Sequence, residues 1–233
     1  PVRLIRNELS MNDDKTIIMG RPFRVAPGTR LNGIYEVESL IGTGGMSEIY
    51  KGRNIQTQDD VAIKVILPEF AQDEQMVSLF RREALTLNRL SNEAIVRYHV
   101  FSHDAAANLL YLAMEFVDGP TLRDSMKQRP LSQQEACLLI SKIATGMQVA
   151  HAEGVVHRDL STDNIILAGN SVSKPKVIDF GIARSSEIND STLIASGFAG
   201  KYNFVSPEQL GLYGGKVRET SDIYSLGLVF ASA

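Results

Sequence analysis

Three oxygen-bearing side chains in the second half of the chain are of types that could hold a metal ion that binds phosphates. Asp159 and Asn164 lie in "HRDLSTDN" (157–164), and Asp179 ends the run "KVID" (176–179). Carboxylate and amide oxygens suit Mg²⁺, which keeps waters and substrate phosphates as its other ligands. Each of the three alone could also be an ordinary turn residue that bonds its own backbone. Together, in this order, they favour a magnesium site.

A glycine-rich stretch, "IGTGGMSEI" (41–49), is a second candidate for phosphate contact. Gly42, Gly44 and Gly45 let the backbone approach a phosphate closely and aim N–H groups at it. The stretch is not a P-loop, because no Gly-Lys-Ser/Thr follows, and it is not a Rossmann turn, because a strand comes next. A glycine-rich hairpin turn explains the same residues equally well, so this stretch alone decides nothing.

Lys64 lies in "VAIK" on a predicted strand over residues 60–67, where it shares a face with the small Ala62. A solvated lysine on a strand is the plainest interpretation, whereas a lysine that points inward needs a carboxylate partner. Glu83, in a predicted helix over residues 72–90, is a candidate for that partner. Its alternative role is a surface salt bridge with a neighbouring arginine, which stabilises little.

The elements that hold these residues fall into two groups along the chain. The first group is rich in short β patterns and contains one helix with apolar residues at helical spacing. Its predicted strands cover 35–42, 47–53, 60–67, 94–102 and 108–116, and its helix covers 72–90. These elements predict a small antiparallel sheet that packs on one helix.

The character of the sequence changes after "VDGP" (117–120). A long helix is predicted over 131–154, with a capping box of Ser132 and Glu135 at its start. A joint near 115–120 therefore connects a β-rich lobe to a mostly helical lobe, and a cleft between two lobes is a natural ligand site. The long helix has the predicted buried stripe Ala136, Leu139, Ile143, Met147 and Ala150. The remaining predicted elements are strands at 164–167 and 176–179 and an apolar helix from 219.

The bulk composition excludes several classes of protein. The chain has 233 residues, is 44% hydrophobic and carries a net charge of −3, which argues against a general nucleic-acid binder. The one cysteine, Cys137, excludes a disulfide framework and indicates a reducing compartment such as the cytoplasm; we expect it in the core. We expect no membrane-spanning segment and no signal peptide. Residues 1–30 have no clear periodicity and are interpreted as an extension or linker.

The motifs taken together resemble those of eukaryotic-like (Hanks-type) Ser/Thr protein kinases, most of all the bacterial members. In chain order they read "GTGGMS", "VAIK", "RREA", "HRDLSTDN", "DFG", "SPE" and "SDIYSLG". The combination of these motifs in this order is very specific for the family, although no single motif is. It implies an α+β, bilobal protein-kinase fold with a sheet-and-helix N-lobe at 31–117 and a mostly helical C-lobe at 118–233. The last helices of a kinase C-lobe are missing, so we expect a truncated domain.

The resemblance also implies an ATP site between the lobes. The backbone of residues 42–47 covers the phosphates, Lys64 pairs with Glu83 and holds the α- and β-phosphates, and Met114 precedes the hinge that meets the adenine. The nucleotide-contacting residues implied in this way are Ile41, Gly42, Thr43, Gly44, Gly45, Met46, Ser47, Glu48, Ile49, Ala62, Lys64, Met114, Glu115, Val117, Ile166 and Asp179.

The implied reaction is the ATP- and Mg²⁺-dependent phosphorylation of Ser and Thr hydroxyls on protein substrates, with autophosphorylation. Asp159 is the implied base that accepts the hydroxyl proton, and Asn164 and Asp179 hold Mg²⁺. Asp222, on the last helix, corresponds to the residue that braces the "HRD" backbone. The "HRD" and "SPE" blocks favour a protein kinase over a small-molecule kinase.

The catalytic loop departs from the family pattern at a position that matters for the chemistry. Ser161 stands where the family usually has a lysine near the transferring γ-phosphate, and Lys201 stands where the family usually has a threonine. The resemblance implies that these two positions are neighbours in space. We therefore hypothesise that Lys201 supplies the missing ammonium group and that Ser161 supplies the hydroxyl. The alternative is a catalytically silent, kinase-like scaffold (a pseudokinase) that binds ATP or partners.

Two hydroxyl-bearing segments are candidates for phosphorylation. Arg158, next to the base, is typical of kinases whose activation loop is phosphorylated, and Ser191 or Thr192 is the expected autophosphorylation site. Thr16 follows two acidic residues in "NDDKTIIMG" (12–20) and is a candidate docking site for a forkhead-associated, phosphothreonine-binding partner domain. An ordinary exposed hydroxyl explains any single one of these residues equally well.

Overall fold

The computed structural model describes residues 25–44, 47–71, 74–180 and 202–233. Within these residues the first half of the chain forms an antiparallel sheet with the strand order β1-β2-β3-β4-β6-β5. The strands are β1 (Arg30–Leu31), β2 (Tyr35–Thr43), β3 (Ser47–Asn54), β4 (Asp60–Ile66), β5 (Tyr98–Asp104) and β6 (Leu109–Glu115). Two helices follow β4, a single turn α1 (Pro68–Ala71) and the longer α2 (Glu74–Leu87). The sheet-and-helix N-lobe is therefore present as predicted.

The sheet has two different buried faces. Alternation along β4 sends Val61, Ile63 and Val65 to an outer cluster of buried residues that also contains Tyr50 and Tyr111. The opposite face packs on α2, because the apolar stripe of this helix joins the main core of the molecule. The buried α2 residues of this core are Phe80, Ala84 and Leu87, and the sheet contributes Leu110, Leu112 and Met114.

Strand β5 is shorter than the strand predicted over 94–102 and begins at Tyr98. The residues just before it pair with the other half of the chain instead of continuing the strand. The Val96 N–H donates to the Val177 carbonyl at 2.9 Å, and the Val177 N–H donates to the Ala94 carbonyl at 2.7 Å. The local pattern of apolar residues in the sequence contains no signal for a pairing between residues so far apart.

The second half of the chain is mostly helical. Its elements are α3 (Leu122–Gln128), α4 (Gln133–Ala152), β7 (Ile165–Leu167), β8 (Pro175–Val177) and α5 (Glu219–Ser232). The predicted capping box of α4 is confirmed, because the Ser132 hydroxyl accepts from the Glu135 N–H at 3.3 Å and the Glu135 carboxylate accepts from the Ser132 N–H at 2.8 Å. None of the described helices has the length and hydrophobicity needed to cross a membrane.

The buried stripe of α4 is also confirmed, and it explains one wrong expectation. Ala136, Leu139, Ile143, Met147 and Ala150 are all buried. Cys137, which we expected in the core, is exposed. Successive residues of an α-helix are rotated by about 100°, so the residue after a buried Ala136 points away from the core.

The described part of the predicted N-terminal extension contacts the sheet. Val25 is 2% exposed, and its N–H donates to the Tyr50 hydroxyl at 3.2 Å. Further along, the Asn32 side-chain amide donates to the hydroxyl of Ser102, on β5, at 2.9 Å. The domain boundary at residue 31 stays a prediction, but residues 25–30 already lie against the folded lobe.

The joint between the two halves lies close to β7. The Leu167 N–H donates to the Pro120 carbonyl at 2.9 Å, and the Gly169 N–H donates to the Asp118 carbonyl at 2.8 Å. Gly119 lies between these two bonds, and a Cβ atom there would collide with the Leu167 carbonyl oxygen. Glycine is needed here because the colliding atom is backbone and cannot rotate away.

We expect Gly119→Ala to lower the free energy of unfolding by about 2 kcal/mol or more, because the added methyl group forces β7 away from the joint. Urea denaturation followed by circular dichroism measures this change. Gly227 on α5 is the matched control, because a Cβ there meets nothing within 4 Å. Gly227→Ala should be neutral or stabilising by at most about 1 kcal/mol; equal losses in both variants would contradict the steric explanation.

Candidate active site

The backbone of the catalytic loop, residues 157–164, is held by a buried carboxylate on α5. Asp222 is 1% exposed, and its two oxygens accept from the N–H groups of His157 and Arg158, each at 2.8 Å. A third bond, also 2.8 Å, joins Asp222 to the His151 imidazole. A buried carboxylate requires such partners. The predicted bracing role of Asp222 is therefore visible in its hydrogen bonds.

His157 is a neutral, buried imidazole at the start of this loop. Its Nδ1 accepts from the Asp159 N–H at 3.2 Å, so Nε2 carries the proton that is donated to the Ile178 carbonyl at 3.0 Å. Burial lowers the pKa of His157, which favours the neutral form. The ring packs against Phe180, with 4.5 Å between the ring centroids. His157 therefore connects the loop to the "DFG" motif without adding a charge.

Asp159 and Asn164 are brought together as the sequence predicted. The Asn164 side-chain amide donates to the Asp159 carbonyl at 2.7 Å and to the Asp159 carboxylate at 3.0 Å. Asn164 is 5% exposed and ends the short 3-10 turn Thr162–Asn164. These bonds fix the direction of the Asp159 carboxylate and leave the Asn164 amide oxygen for another partner.

Lys64 and Asp179 are in direct contact, although they are 115 residues apart. The Lys64 ammonium donates to an Asp179 carboxylate oxygen, and the lysine side chain is only 14% exposed. Asp179 has a positive φ of 61°, a strained conformation for a residue with a side chain. Lys64 therefore points inward, as the resemblance implied. The Glu83 side chain lies outside the described residues, so its pairing with Lys64 stays a prediction.

The glycine-rich stretch forms the hairpin between β2 and β3. A Cβ atom on Gly42 or Gly44 would meet neighbours only at 3.5 Å or beyond. The packing of the hairpin itself therefore does not demand glycine at either position, and the bare backbone leaves space beside it. Gly45 and Met46 lie outside the described residues. The pairs near the tip are Gly42 with Ile49, Thr43 with Glu48 and, through a 2.7 Å backbone bond, Gly44 with Ser47.

The side chains expected around a purine lie along the inner edge of the sheet and the joint. Ala62 pairs with Met114 across β4 and β6, and Met114 is 6% exposed. Ala62 and Val117 pack at the border of the main core, and Ile166 is half-buried on β7. Ile41 differs, because it is 50% exposed. Contact of these residues with a nucleotide stays a prediction.

Glu115 has a structural role that sequence reasoning missed. Its carboxylate accepts from the Lys176 ammonium at 2.9 Å and from the Arg97 N–H at 3.1 Å. The ion pair joins the end of β6 to β8, so it connects the two lobes at the hinge. Glu115 and Lys176 are 61 residues apart, and no periodicity connects positions at that separation.

Ser161, where the family has a lysine, is 1% exposed. Its hydroxyl has no hydrogen-bond partner among the residues that the structure describes. Lys201 lies outside those residues. The site therefore contains a buried hydroxyl that remains to be satisfied, at the position where the loop departs from the family pattern.

The "SPEQ" block (206–209) supports the catalytic loop from the other side. The Gln209 amide nitrogen donates to the Arg158 carbonyl at 2.8 Å, and its oxygen accepts from the Ser206 N–H at 3.1 Å. The Ser221 hydroxyl donates to Glu208 at 2.6 Å, and this bond lowers the pKa of Glu208. Sequence reasoning missed Gln209; its position directly after "SPE" was the available signal.

The arrangement is that of a known family. The family model for the protein kinase domain matches residues 35–233. The chain belongs to the protein kinase family. The α+β, bilobal protein-kinase fold that the motifs implied is therefore confirmed.

Similar proteins come from bacteria. The serine/threonine-protein kinase PknB of Mycobacterium leprae is 35% identical over 202 residues, which cover 85% of this chain and 32% of the relative. A probable serine/threonine-protein kinase of Clostridium acetobutylicum is 36% identical over 204 residues, 87% of this chain and 30% of the relative. The PknI kinase domain of M. tuberculosis, a solved structure, has a TM-score of 0.67 at 25% identity over 89% of this chain and 74% of that chain. This chain spans about a third of the length of the curated relatives.

His157 makes the stability of the domain depend on pH. Because burial lowers its pKa below the ordinary 6.5, the unfolded chain binds this proton at a higher pH than the folded protein does. Its contribution to stability is complete above about pH 6.5 and declines as the pH falls below that value. We expect the drop in Tm between about pH 7.5 and about pH 5.5 to be smaller in His157→Gln than in the unchanged protein.

The control for this measurement is His103→Gln, which removes an exposed imidazole. It should keep the pH dependence of the unchanged protein, although its own Tm can shift. An identical drop in Tm for the His157→Gln variant and the unchanged protein would show that His157 does not titrate in this range.

Proposed function

We propose that this domain transfers the γ-phosphoryl group of ATP to Ser and Thr hydroxyls of proteins, with Mg²⁺ as cofactor. The observation that carries the proposal is the convergence of four functional side chains from three parts of the chain: the Asn164 amide bonds the Asp159 carboxylate at 3.0 Å, and Lys64 contacts Asp179. Membership of the protein kinase family supports the same reaction. Relatives named as serine/threonine-protein kinases support Ser and Thr hydroxyls as the groups that receive the phosphoryl group.

Each side chain has one task in the proposed reaction. Asp159 accepts the proton that the substrate hydroxyl loses as its oxygen bonds to the γ-phosphorus and the bond to the ADP oxygen breaks. Lys64 holds the α- and β-phosphates. Asn164 and Asp179 would hold Mg²⁺, which neutralises phosphate charge during the transfer. Positioning and electrostatic stabilisation supply most of the acceleration.

The residues present fit both ATP and Mg²⁺. Mg²⁺ at a nucleotide site needs only one or two protein ligands, because phosphates and waters complete its shell. In keeping with this, the described part of the chain has no group of three or more His, Cys, Asp or Glu side chains able to hold a metal alone. The bare backbone at Gly42 and Gly44 leaves room for phosphate oxygens.

We expect Asp159→Asn to lower the rate of phosphotransfer from Mg²⁺–ATP by a factor of about 10²–10⁴, because Asn keeps an oxygen for Asn164 but cannot act as the base. Transfer of labelled phosphate to a protein substrate measures this rate. Asp163→Asn is the control, since this neighbouring carboxylate pairs with Arg123 at 3.3 Å. No transfer by the unchanged, folded protein would favour the silent scaffold instead.

We also propose that Lys201 replaces the lysine that the catalytic loop lacks. The buried Ser161 hydroxyl supports this, because a buried hydroxyl without a partner costs about 1–3 kcal/mol. Two anchors near Lys201 support it too. The Phe204 carbonyl, three residues later, accepts a 2.7 Å bond from α5, and Gln209 bonds the Arg158 carbonyl at 2.8 Å. A segment that both hydrogen bonds hold beside the catalytic loop can place the Lys201 ammonium group near Ser161.

We expect Lys201→Ala to lower kcat by about 10²-fold, because a positive charge near the transferring phosphate is lost. The double variant Ser161→Lys/Lys201→Thr restores the usual family arrangement and should recover activity to within about tenfold. Lys174→Ala, at an exposed lysine, is the control and should not change kcat. Full activity of Lys201→Ala would contradict the replacement.

The remaining parts of the proposal concern regulation and location. We propose autophosphorylation at Ser191 or Thr192. Arg158, the residue before the proposed base Asp159, supports this, because it can pair with a phosphate on the activation loop. We further propose that a forkhead-associated domain reads phosphorylated Thr16, and that the domain works in the cytoplasm, supported by the single free thiol at Cys137. Phosphopeptide mapping of active protein tests the two phosphorylation sites.

A further inference from the structure

A short series of hydrogen bonds lies on the outer face of the N-lobe sheet, among the residues of the outer cluster. The Tyr50 hydroxyl accepts from the Val25 N–H at 3.2 Å and donates to the Glu48 carboxylate at 2.5 Å. Tyr50 is 1% exposed and Val25 is 2% exposed, so water competes little for these bonds. The bonds therefore join the N-terminal arm (residues 25–32) to the strand that follows the glycine-rich hairpin.

A tight turn fixes the position of Val25 in this arm. The Thr29 N–H donates to the Ala26 carbonyl at 3.1 Å and closes a four-residue turn that has Pro27 at its second position. Gly28, at the third position, has a φ of 84°, which is typical of a type II turn. Two backbone bonds of 2.8 and 2.9 Å anchor the same turn to β2. The arm therefore holds Val25 in a defined place on the sheet.

The alternation of β3 determines what lies behind these bonds. Glu48 and Tyr50 are two residues apart and share one face of the strand, whereas Ile49 between them lies on the other face. Ile49 is directly opposite Lys64 on β4. Residues that are directly opposite on neighbouring strands share a face of the sheet. The bonded side chains of Glu48 and Tyr50 therefore support, from the outer face, the part of β3 that lies beside the proposed phosphate-binding lysine.

Glu48 is also close to the tip of the glycine-rich hairpin. Its partners across the sheet are Thr43 on β2 and Val65 on β4. The next pair toward the tip is the backbone bond between Gly44 and Ser47. Glycine gives the backbone of a tip extra freedom, so the last paired residues limit how far the tip moves. A bond to the Glu48 side chain strengthens that limit from the outer face.

We propose that Tyr50 is a positioning residue, which holds the glycine-rich hairpin in the conformation that binds ATP by linking Glu48 to the N-terminal arm at Val25. This inference rests on the proposed function, because it assigns the hairpin to ATP. Tyr50 acts through Glu48 and β3, since its own hydroxyl lies on the outer face. A hairpin that is ordered before the ligand arrives lowers the cost of binding, and the apparent affinity rises with the fraction of molecules in that conformation.

Binding of a non-hydrolysable ATP analogue with Mg²⁺ to the full chain, measured by calorimetry, tests this role. We expect Tyr50→Phe to raise the Kd by about three- to tenfold, because the link to the arm is lost with little change in side-chain volume. At saturating ATP, the kcat of phosphotransfer should stay within about twofold, because the groups that take part in the reaction are unchanged.

Tyr111→Phe is the matched control. Tyr111 belongs to the same outer cluster, is 0% exposed, and its hydroxyl accepts from the side-chain amide of Asn32 at 3.1 Å. Both variants therefore lose a buried hydroxyl that is bonded to the arm, but Tyr111 lies on β6, away from the hairpin of β2 and β3. Tyr111→Phe should leave the Kd unchanged, although its Tm can fall. An unchanged Kd in Tyr50→Phe, or an equal rise in both variants, would overturn the proposal.

A double-mutant cycle separates positioning through Glu48 from a direct contact of Glu48 with the nucleotide. Glu48→Ala removes the acceptor, and in that background Tyr50→Phe should change the Kd by less than about twofold. Two effects that multiply would contradict the proposal, because Tyr50 would then act by a route that does not include Glu48.

The part played by the arm has its own variant. Val25→Pro removes the N–H donor and keeps an apolar side chain, and it should raise the Kd by a factor similar to that of Tyr50→Phe. An unchanged Kd would exclude the arm from the link. If the unchanged, folded chain binds no nucleotide, the proposed function fails and this inference fails with it. If that chain binds the analogue and Tyr50→Phe binds it equally well, only the positioning role is lost.

Discussion

One buried carboxylate determines the geometry of the catalytic loop. Asp222 accepts the N–H groups of His157 and Arg158, and Arg158 has a positive φ of 65°, which is costly for a residue with a side chain. Hydrogen bonds to a charged acceptor are worth about 1.5–3 kcal/mol each, enough to offset that cost. The direction in which Asp159 leaves the loop, and therefore its meeting with Asn164, depends on this turn.

The other half of the site is built on the same principle. Asp179 also has a positive φ, and its carboxylate is held by Lys64 from the opposite lobe. The next residue, Phe180, packs against the ring of His157. Because His157 is neutral, this contact adds no second buried charge beside Asp222. Arg158 and Asp179, the two strained residues, therefore belong to one packed unit. A structural change at either residue affects the packing of the other through His157 and Phe180.

The sequence predicted what depends on neighbours in the chain. The capping box of α4 and its buried stripe follow from the spacing of residues along a helix, and the inward Lys64 follows from the family resemblance; the structure has each of them. The same reasoning failed one residue along, at Cys137, where membership of an apolar stretch was mistaken for a place on its buried face. A stripe is defined by angle, not by average hydrophobicity.

Contacts between distant parts of the chain could not be predicted in this way. The ion pair of Glu115 with Lys176, the bond from Gln209 to Arg158 and the pairing with Val177 just before β5 all join segments that come together only in the folded chain. Family motifs recover some of these contacts, such as the bracing by Asp222. They did not recover the hinge ion pair, because no motif records it.

The place of Asp222 in the chain has a consequence for how the protein is made. The two amides that it holds are those of residues translated 65 and 64 positions earlier. At the usual speed of a ribosome, about 5–20 residues per second, that interval is roughly 3 to 13 seconds. Asp159, Asn164 and Asp179 are all synthesised during this interval, while the turn that aligns the loop still has no brace. The turn at His157 and Arg158 is therefore braced only after α5 has been synthesised, later than every residue that this turn aligns.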